Sequence, residues 1–215
     1  MISTDSKTSK FALIALFALF ISKLSVVLLF RIFSHQDPIL DPLLDLHGLI
    51  FAWIMPLLIV YLIERNDYRS VGLVVERKDR MKYLCYVIAG LFIPGLIVGF
   101  GKELIGSLFQ QLIAIGVAEE VFWRGYLQAR LSAWLGKYQG WVITSTLFGF
   151  GHLVSLYSHP GVIPEMSDLM LLIQTTAGGF VLGYIYLRAK SIIPGSIFHV
   201  FGNIYLFQLI DLVTG

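Results

Sequence analysis

Of 215 residues, 57% are hydrophobic and only 14% charged, and the mean hydropathy is +0.78; soluble domains carry about 25% charge. A soluble domain this short cannot bury so much apolar surface, so lipid must cover the excess and the chain reads as one integral membrane protein. A net charge of +2 gives no footing for nucleic acid, and the single Cys85, set in an apolar run, cannot close an internal disulfide and reads as core.

Stretches of ~20 mostly apolar residues, the length of a membrane span, fall at 11–30, 46–63, 83–101, 104–127, 139–157, 169–187 and 192–213. The first is interrupted by Lys23, but it is long for a signal-peptide core and no small-residue cleavage site follows, so it reads as a retained helix. Basic residues gather on alternate connections. Lys7 and Lys10 precede the first span; Arg65, Arg69, Arg77, Lys78, Arg80 and Lys82 separate the second from the third; Arg130 and Lys137 follow the fourth, and Arg188 and Lys190 the sixth. Acidic residues hold the other connections: Asp37, Asp41 and Asp45, then Glu165 and Asp168. Arg31 and Lys102 depart from the pattern, each at a span end where a long side chain snorkels. The asymmetry predicts a cytoplasmic N-terminus and cytoplasmic basic loops. The fold class is therefore all-α, a polytopic bundle of about seven spans.

Gly95/Gly99 and Gly179/Gly183 each place two small residues on one helix face, the spacing that lets transmembrane backbones approach. Pro56, Pro94 and Pro194 lie within or near the start of spans and predict bends. The stretch 68–82, basic with interleaved valines and leucine, is suited to lie along an anionic membrane surface.

Against this apolar background stand Glu119 and Glu120, with Arg124 one turn on, and two intramembrane histidines, His152 and His199. Ionised groups at such depth are expensive and persist where they pair or do chemistry. Counting from the basic anchors, Glu119 lies ~16 Å deep, His199 ~13 Å and His152 ~22 Å at 1.5 Å per residue, so the three can meet in the cytoplasmic half of the bilayer. Glu120 and Arg124, at i and i+4, predict a structural ion pair. His199 and Asn203 share a face and can donate to a common oxygen, and Phe148 stands one turn before His152 to pack on its ring. Glu119 points about 100° away from Glu120, a carboxylate placed to act as a general base. His35, His47 and His159 gain nothing from their surroundings and are set aside.

In this order, Glu119-Glu120-x-x-x-Arg124, Phe148-x-x-x-His152 and His199-x-x-x-Asn203 resemble the motifs of the CAAX protease and bacteriocin-processing family of intramembrane glutamic-type proteases. Val71-Gly72-Leu73, Arg124-Gly125 and Ile193-Pro194 fit the flanks. The resemblance covers residues 68–205, which divides the chain into a two-span accessory region, 1–67, and a protease core, 68–215. It implies a helical fold with a catalytic cavity open to the cytoplasmic half of the membrane, hydrolysing a peptide bond of a membrane-associated protein or peptide. Carried over by position, Glu119 activates water with help from His152, His199 and Asn203 hold the oxyanion, and Glu120 with Arg124 fixes the helix.

A metal-free mechanism is favoured over zinc, because no His-Glu-x-x-His helix occurs and His199 pairs with an amide; a zinc-dependent variant would use Glu119, His152 and His199. The implied partners are membrane lipids and a peptide, lipidated or C-terminally tagged protein substrate, without nucleic acid. The expected location is a prokaryotic plasma membrane. Two rival classes use the same residues otherwise: a non-catalytic membrane scaffold or chaperone, and a proton or ion pathway. A scaffold has no use for a costly buried base. A pathway would need polar residues in the outer half of the fourth and seventh spans, where the sequence shows none.

Overall fold

The computed structural model describes residues 11–22, 25, 49–65, 68–101, 104–156 and 166–214, and every element among them is helical. These are α1 (Phe11–Ser22), α2 (Ile50–Ile63), α3 (Arg80–Val98), α4 (Leu104–Ile113), α5 (116–135), α6 (Lys137–Leu156), α7 (Met166–Ala189) and α8 (Ile193–Thr214), with short 3-10 turns at Tyr68–Val71 and Arg77–Asp79. The predicted spans are mainly helical where they are described, with Gly99–Gly101, Ala114–Ile115 and Ile192 outside any helix. Arg77–Val98, Leu104–Leu135 and Leu169–Ala189 are long and apolar enough to cross a bilayer, so the chain is an integral membrane protein. Lys7, Lys10, Lys23, Arg31, His35, Asp37, Asp41, Asp45, His47, Lys102, His159 and Glu165 lie outside the described residues.

The fourth span is where sequence and structure part most. It is not one rod but α4 and α5, broken at Ala114–Ile115, where Ile115 takes φ −119° and ψ −84°. The break takes the Ile113 carbonyl out of the helix ladder, and the Trp53 indole of α2 donates to it at 2.7 Å. Beyond the break, α5 widens to π-helix over Glu120–Gln128, a form that concentrates at functional sites because its extra residue per turn re-aims side chains. All nine residues of that stretch are buried. It forms the axis of the bundle. Phe122, Trp123, Tyr126 and Leu127 on it pack with Ala12, Ala15 and Leu19 of α1, Val60 of α2 and Phe148 of α6.

Arg130 also departs from its reading as a loop residue at the cytoplasmic surface. It sits inside α5 at 1% exposure and pairs with Glu64 at the end of α2. Its guanidinium further donates to the carbonyls of Ser70 and Gly125, each at 3.1 Å, and lies over the Tyr126 ring. A cation this buried is stable only because its donors are met. The connection to α6 is therefore shorter than the sequence implied, a turn through Gly136.

Of the two glycine pairs, one does what its spacing predicts. A Cβ on Gly179 would come within 2.8 Å of the Ser145 carbonyl, and one on Gly183 within 2.6 Å of the Trp141 ring, so α7 meets α6 backbone to backbone at the first and backbone to side chain at the second. Gly95 and Gly99 serve differently. Gly95 abuts the Phe100 ring, and Gly99, at φ 91°, ends α3 in a conformation that L side chains avoid. Pro94 lies inside α3, whereas Pro194 is the second residue of α8, where a missing N–H costs nothing.

A strap crosses the bundle at residues 70–74. Gly72, at φ 72°, turns it so that its carbonyl accepts from Ile192 N at 3.1 Å and from Ser191 Oγ at 3.2 Å. Ser191 Oγ also donates to Val74 O at 2.9 Å and accepts from Ile193 N, capping α8. The strap pins the turn that launches the last helix, and with it the position of His199.

Candidate active site

Three helices bring the acidic and imidazole groups together. Glu119 closes the short α-turn after the break in α5, His152 lies toward the end of α6, and His199 lies two turns into α8. Glu119 Oε2 stands 4.0 Å from His152 Nε2 and 3.9 Å from His199 Nε2. The side chains are partly open, at 25%, 30% and 10% exposure respectively.

Both rings are oriented from behind. His152 Nδ1 lies 2.8 Å from the Phe148 carbonyl, which can only accept, so that nitrogen carries the proton. His199 Nδ1 lies 3.1 Å from Glu120 Oε1. Glu120 is fully buried and ion-paired with Arg124 Nη1 at 3.0 Å, so it is a carboxylate, and His199 Nδ1 donates to it. Each ring thus turns its Nε2 toward Glu119, across gaps of 4.0 and 3.9 Å that a water molecule can bridge.

Arg124 is held on every side. Beyond Glu120 it reaches the Gly179 carbonyl at 3.5 Å and lies 4.2 Å from the Phe148 ring centre. Phe148 in turn stacks edgewise on His152 at 4.6 Å and on His199 at 6.2 Å, so one aromatic ring touches the ion pair and both imidazoles. Gly195 supplies the room for Glu120: a Cβ there would sit 3.1 Å from its Oε2. The predicted Glu120–Arg124 pair is thus present, and its carboxylate has the added task of fixing His199.

Asn203 Nδ2 donates one of its two N–H groups to Gln111 Oε1 of α4 at 2.9 Å. Gln111 is a residue that the sequence reading missed. It sits one turn before the helix break, and nothing in its local pattern marks it off from an ordinary helix-surface glutamine.

Zinc ligation was the alternative use of Glu119, His152 and His199. Among the described residues no group of three His, Cys, Asp or Glu side chains is arranged to hold a metal ion.

The model of the type II CAAX prenyl endopeptidase Rce1-like family matches residues 86–205. The match begins after the Val71-Gly72-Leu73 strap, which the resemblance had included, and it contains every residue of the cluster, Gln111 among them. No curated protein and no solved structure matches the chain. Because the matched stretch spans more than half of the chain and carries both glutamates, both histidines and their supports in order, this protein belongs to the Rce1-like type II CAAX prenyl endopeptidase family, a family of membrane peptidases.

Proposed function

We propose that the chain is an intramembrane endopeptidase of the glutamic type, cleaving a lipidated or C-terminally tagged protein or peptide held in the membrane. The observation that carries this reading is the approach of Glu119 Oε2 to two imidazole Nε2 atoms at 3.9 and 4.0 Å.

In the proposed reaction a water in that gap donates one proton toward Glu119 and the other toward His152 Nε2, leaving an oxygen lone pair free to attack the scissile carbonyl. Glu119 takes the proton as the C–O bond forms, and later passes it to the leaving amine as the C–N bond breaks. The oxyanion needs donors placed before the charge develops, often the largest single contribution to the rate. His199 supplies one in its imidazolium form, with the Glu120 carboxylate at Nδ1 as counter-charge. The Asn203 amide supplies the other through the N–H of Nδ2 that Gln111 leaves open. No metal takes part in this scheme. The cluster would lie in the half of the membrane bounded by the basic loops, taken as cytoplasmic from the charge asymmetry.

The test is cleavage of a membrane-anchored, fluorogenic peptide by the purified protein in liposomes, with and without a prenylated C-terminal cysteine. Cleavage should vanish in Glu119→Ala and His152→Ala. It should persist in enzyme that metal analysis shows to contain less than stoichiometric zinc. Wild-type rates in Glu119→Ala would overturn the scheme, and activity that tracks zinc content would replace it with a metal-dependent one.

A further inference from the structure

A second concave site lies apart from the catalytic cluster. A cleft of about 1100 Å³ runs between α3, the last turns of α7 and the first half of α8. On α8 it is lined by Phe198, Phe201, Gly202 and Tyr205, a single stripe at i, i+3, i+4 and i+7. His199 is set about 100° around the helix from Phe198, and none of Glu119, His152 and His199 lines the cleft. A chain lying here rests on a face of α8 beside the one that carries His199.

Its two ends differ in chemistry. The deep end is apolar, walled by Pro94, Phe201 and Tyr205, with α3 and α8 in contact where Gly90 faces the Phe201 ring. The mouth is charged. Lys78 and Lys82 stand there, each paired with its own carboxylate, Glu76 at 2.8 Å and Asp79 at 2.9 Å. Arg188 completes the rim with no ion pair among the described residues, which leaves the mouth one positive charge in excess. Tyr86 and Tyr184, 47% and 51% exposed, flank it as amphipathic rings do at headgroup level.

Length fits the same occupant. From Asp79 at the rim to Pro94 at the floor, α3 advances ~22 Å at 1.5 Å per residue, about the depth of one leaflet with its headgroup layer. We propose that this cleft holds one anionic phospholipid, its phosphate on Arg188 and Lys82 and an acyl chain against the α8 stripe, bracing the helix beside its catalytic face. Basic pockets between transmembrane helices on the cytoplasmic side select such headgroups.

Native mass spectrometry of the delipidated protein in detergent, titrated with phosphatidylglycerol or phosphatidylcholine of the same chains, tests the site. Wild type should hold one phosphatidylglycerol at least tenfold more tightly than phosphatidylcholine. K82A/R188A should erase that preference while leaving weak binding of both lipids. Gly202→Leu, whose side chain enters open space on the cleft wall, should abolish the single-lipid adduct. Both variants should keep the wild-type melting temperature without added lipid. Equal binding of the two lipids by wild type, which needs no variant to read, would overturn the proposal. Unchanged phosphatidylglycerol binding in both variants would do the same, as would displacement of the lipid by a farnesylated peptide, which would give the cleft to substrate.

Discussion

His199 Nδ1 lies 3.1 Å from Glu120 Oε1, the same oxygen that Arg124 Nη1 reaches at 3.0 Å. One buried carboxylate therefore both neutralises a buried arginine and dictates which nitrogen of a neighbouring ring faces Glu119. The two duties separate by mutation. Glu120→Ala removes both, and leaving a buried charge unpaired costs about 3–5 kcal/mol, so the melting temperature should fall markedly. Arg124→Ala also destabilises, but it leaves the carboxylate on His199. Cleavage per folded molecule should thus fall further in Glu120→Ala than in Arg124→Ala. Equal residual rates would mean that the pair is architectural only.

Loss of Glu119 or His152 should act on chemistry with little effect on folding, since both side chains are partly open and neither carries the core. A positioned acid–base group contributes about 10²–10⁴-fold. Glu119→Ala and His152→Ala should each lose at least that factor while inserting and accumulating like wild type. Membrane yield and cleavage of the anchored peptide, measured side by side, decide it.

The Gln111–Asn203 hydrogen bond makes Gln111 a positioning residue for the proposed oxyanion donor. Removing such a donor outright costs about 10²–10³ in kcat. Gln111→Ala should lose less than that, in kcat rather than KM. Gln111→Glu keeps an acceptor for Asn203 Nδ2 and should recover most of the rate. A change confined to the melting temperature would assign Gln111 to packing.

The long-range part of the site was legible because intramembrane polarity is scarce. Once the spans were set by hydropathy and the loops by charge, Glu119, His152 and His199 had few places to go but toward one another. The small-residue spacing of Gly179 and Gly183 carried similar information, as both glycines do line a close helix contact. What stayed hidden depends on backbone detail. A break at Ala114–Ile115 with neither proline nor glycine at the two residues, followed by a π-helical stretch, leaves no periodic signature, so Gln111 and Trp53 gained no meaning from sequence. Arg130 was misplaced because a basic residue near a span end ordinarily snorkels, and its partner Glu64 lies 66 positions away in the region assigned as accessory.

That partner implies that the first two spans are not dispensable. Arg130 donates to Glu64 through both Nε and Nη2, and without the carboxylate the buried guanidinium keeps only neutral acceptors. Glu64→Ala should lower thermal stability by a few kcal/mol and leave the cleavage rate per folded molecule near wild type. A truncation lacking residues 1–67 should accumulate poorly for the same reason. An unchanged melting temperature in Glu64→Ala would show that the Ser70 and Gly125 carbonyls satisfy Arg130 on their own.

Gly125 offers a case where local propensity and tertiary contact predict opposite signs. Inside a helix, alanine is better than glycine by about 0.8–1.0 kcal/mol, so Gly125→Ala should stabilise α5 if nothing lies beside it. In the folded chain a Cβ at this position would overlap the Val71 carbonyl oxygen. That oxygen belongs to backbone and cannot swing aside, and the next residue, Gly72, is fastened to Ile192 and Ser191. Overpacking costs of about 1–3 kcal/mol exceed the propensity gain. The variant should therefore melt earlier, and the strap should lift from the turn that starts α8. Hydrogen exchange at Ile192 N, whose acceptor is the Gly72 carbonyl, should rise in Gly125→Ala and stay slow in wild type. Stabilisation with unchanged exchange would show that strap and helix do not meet as closely as their contact implies.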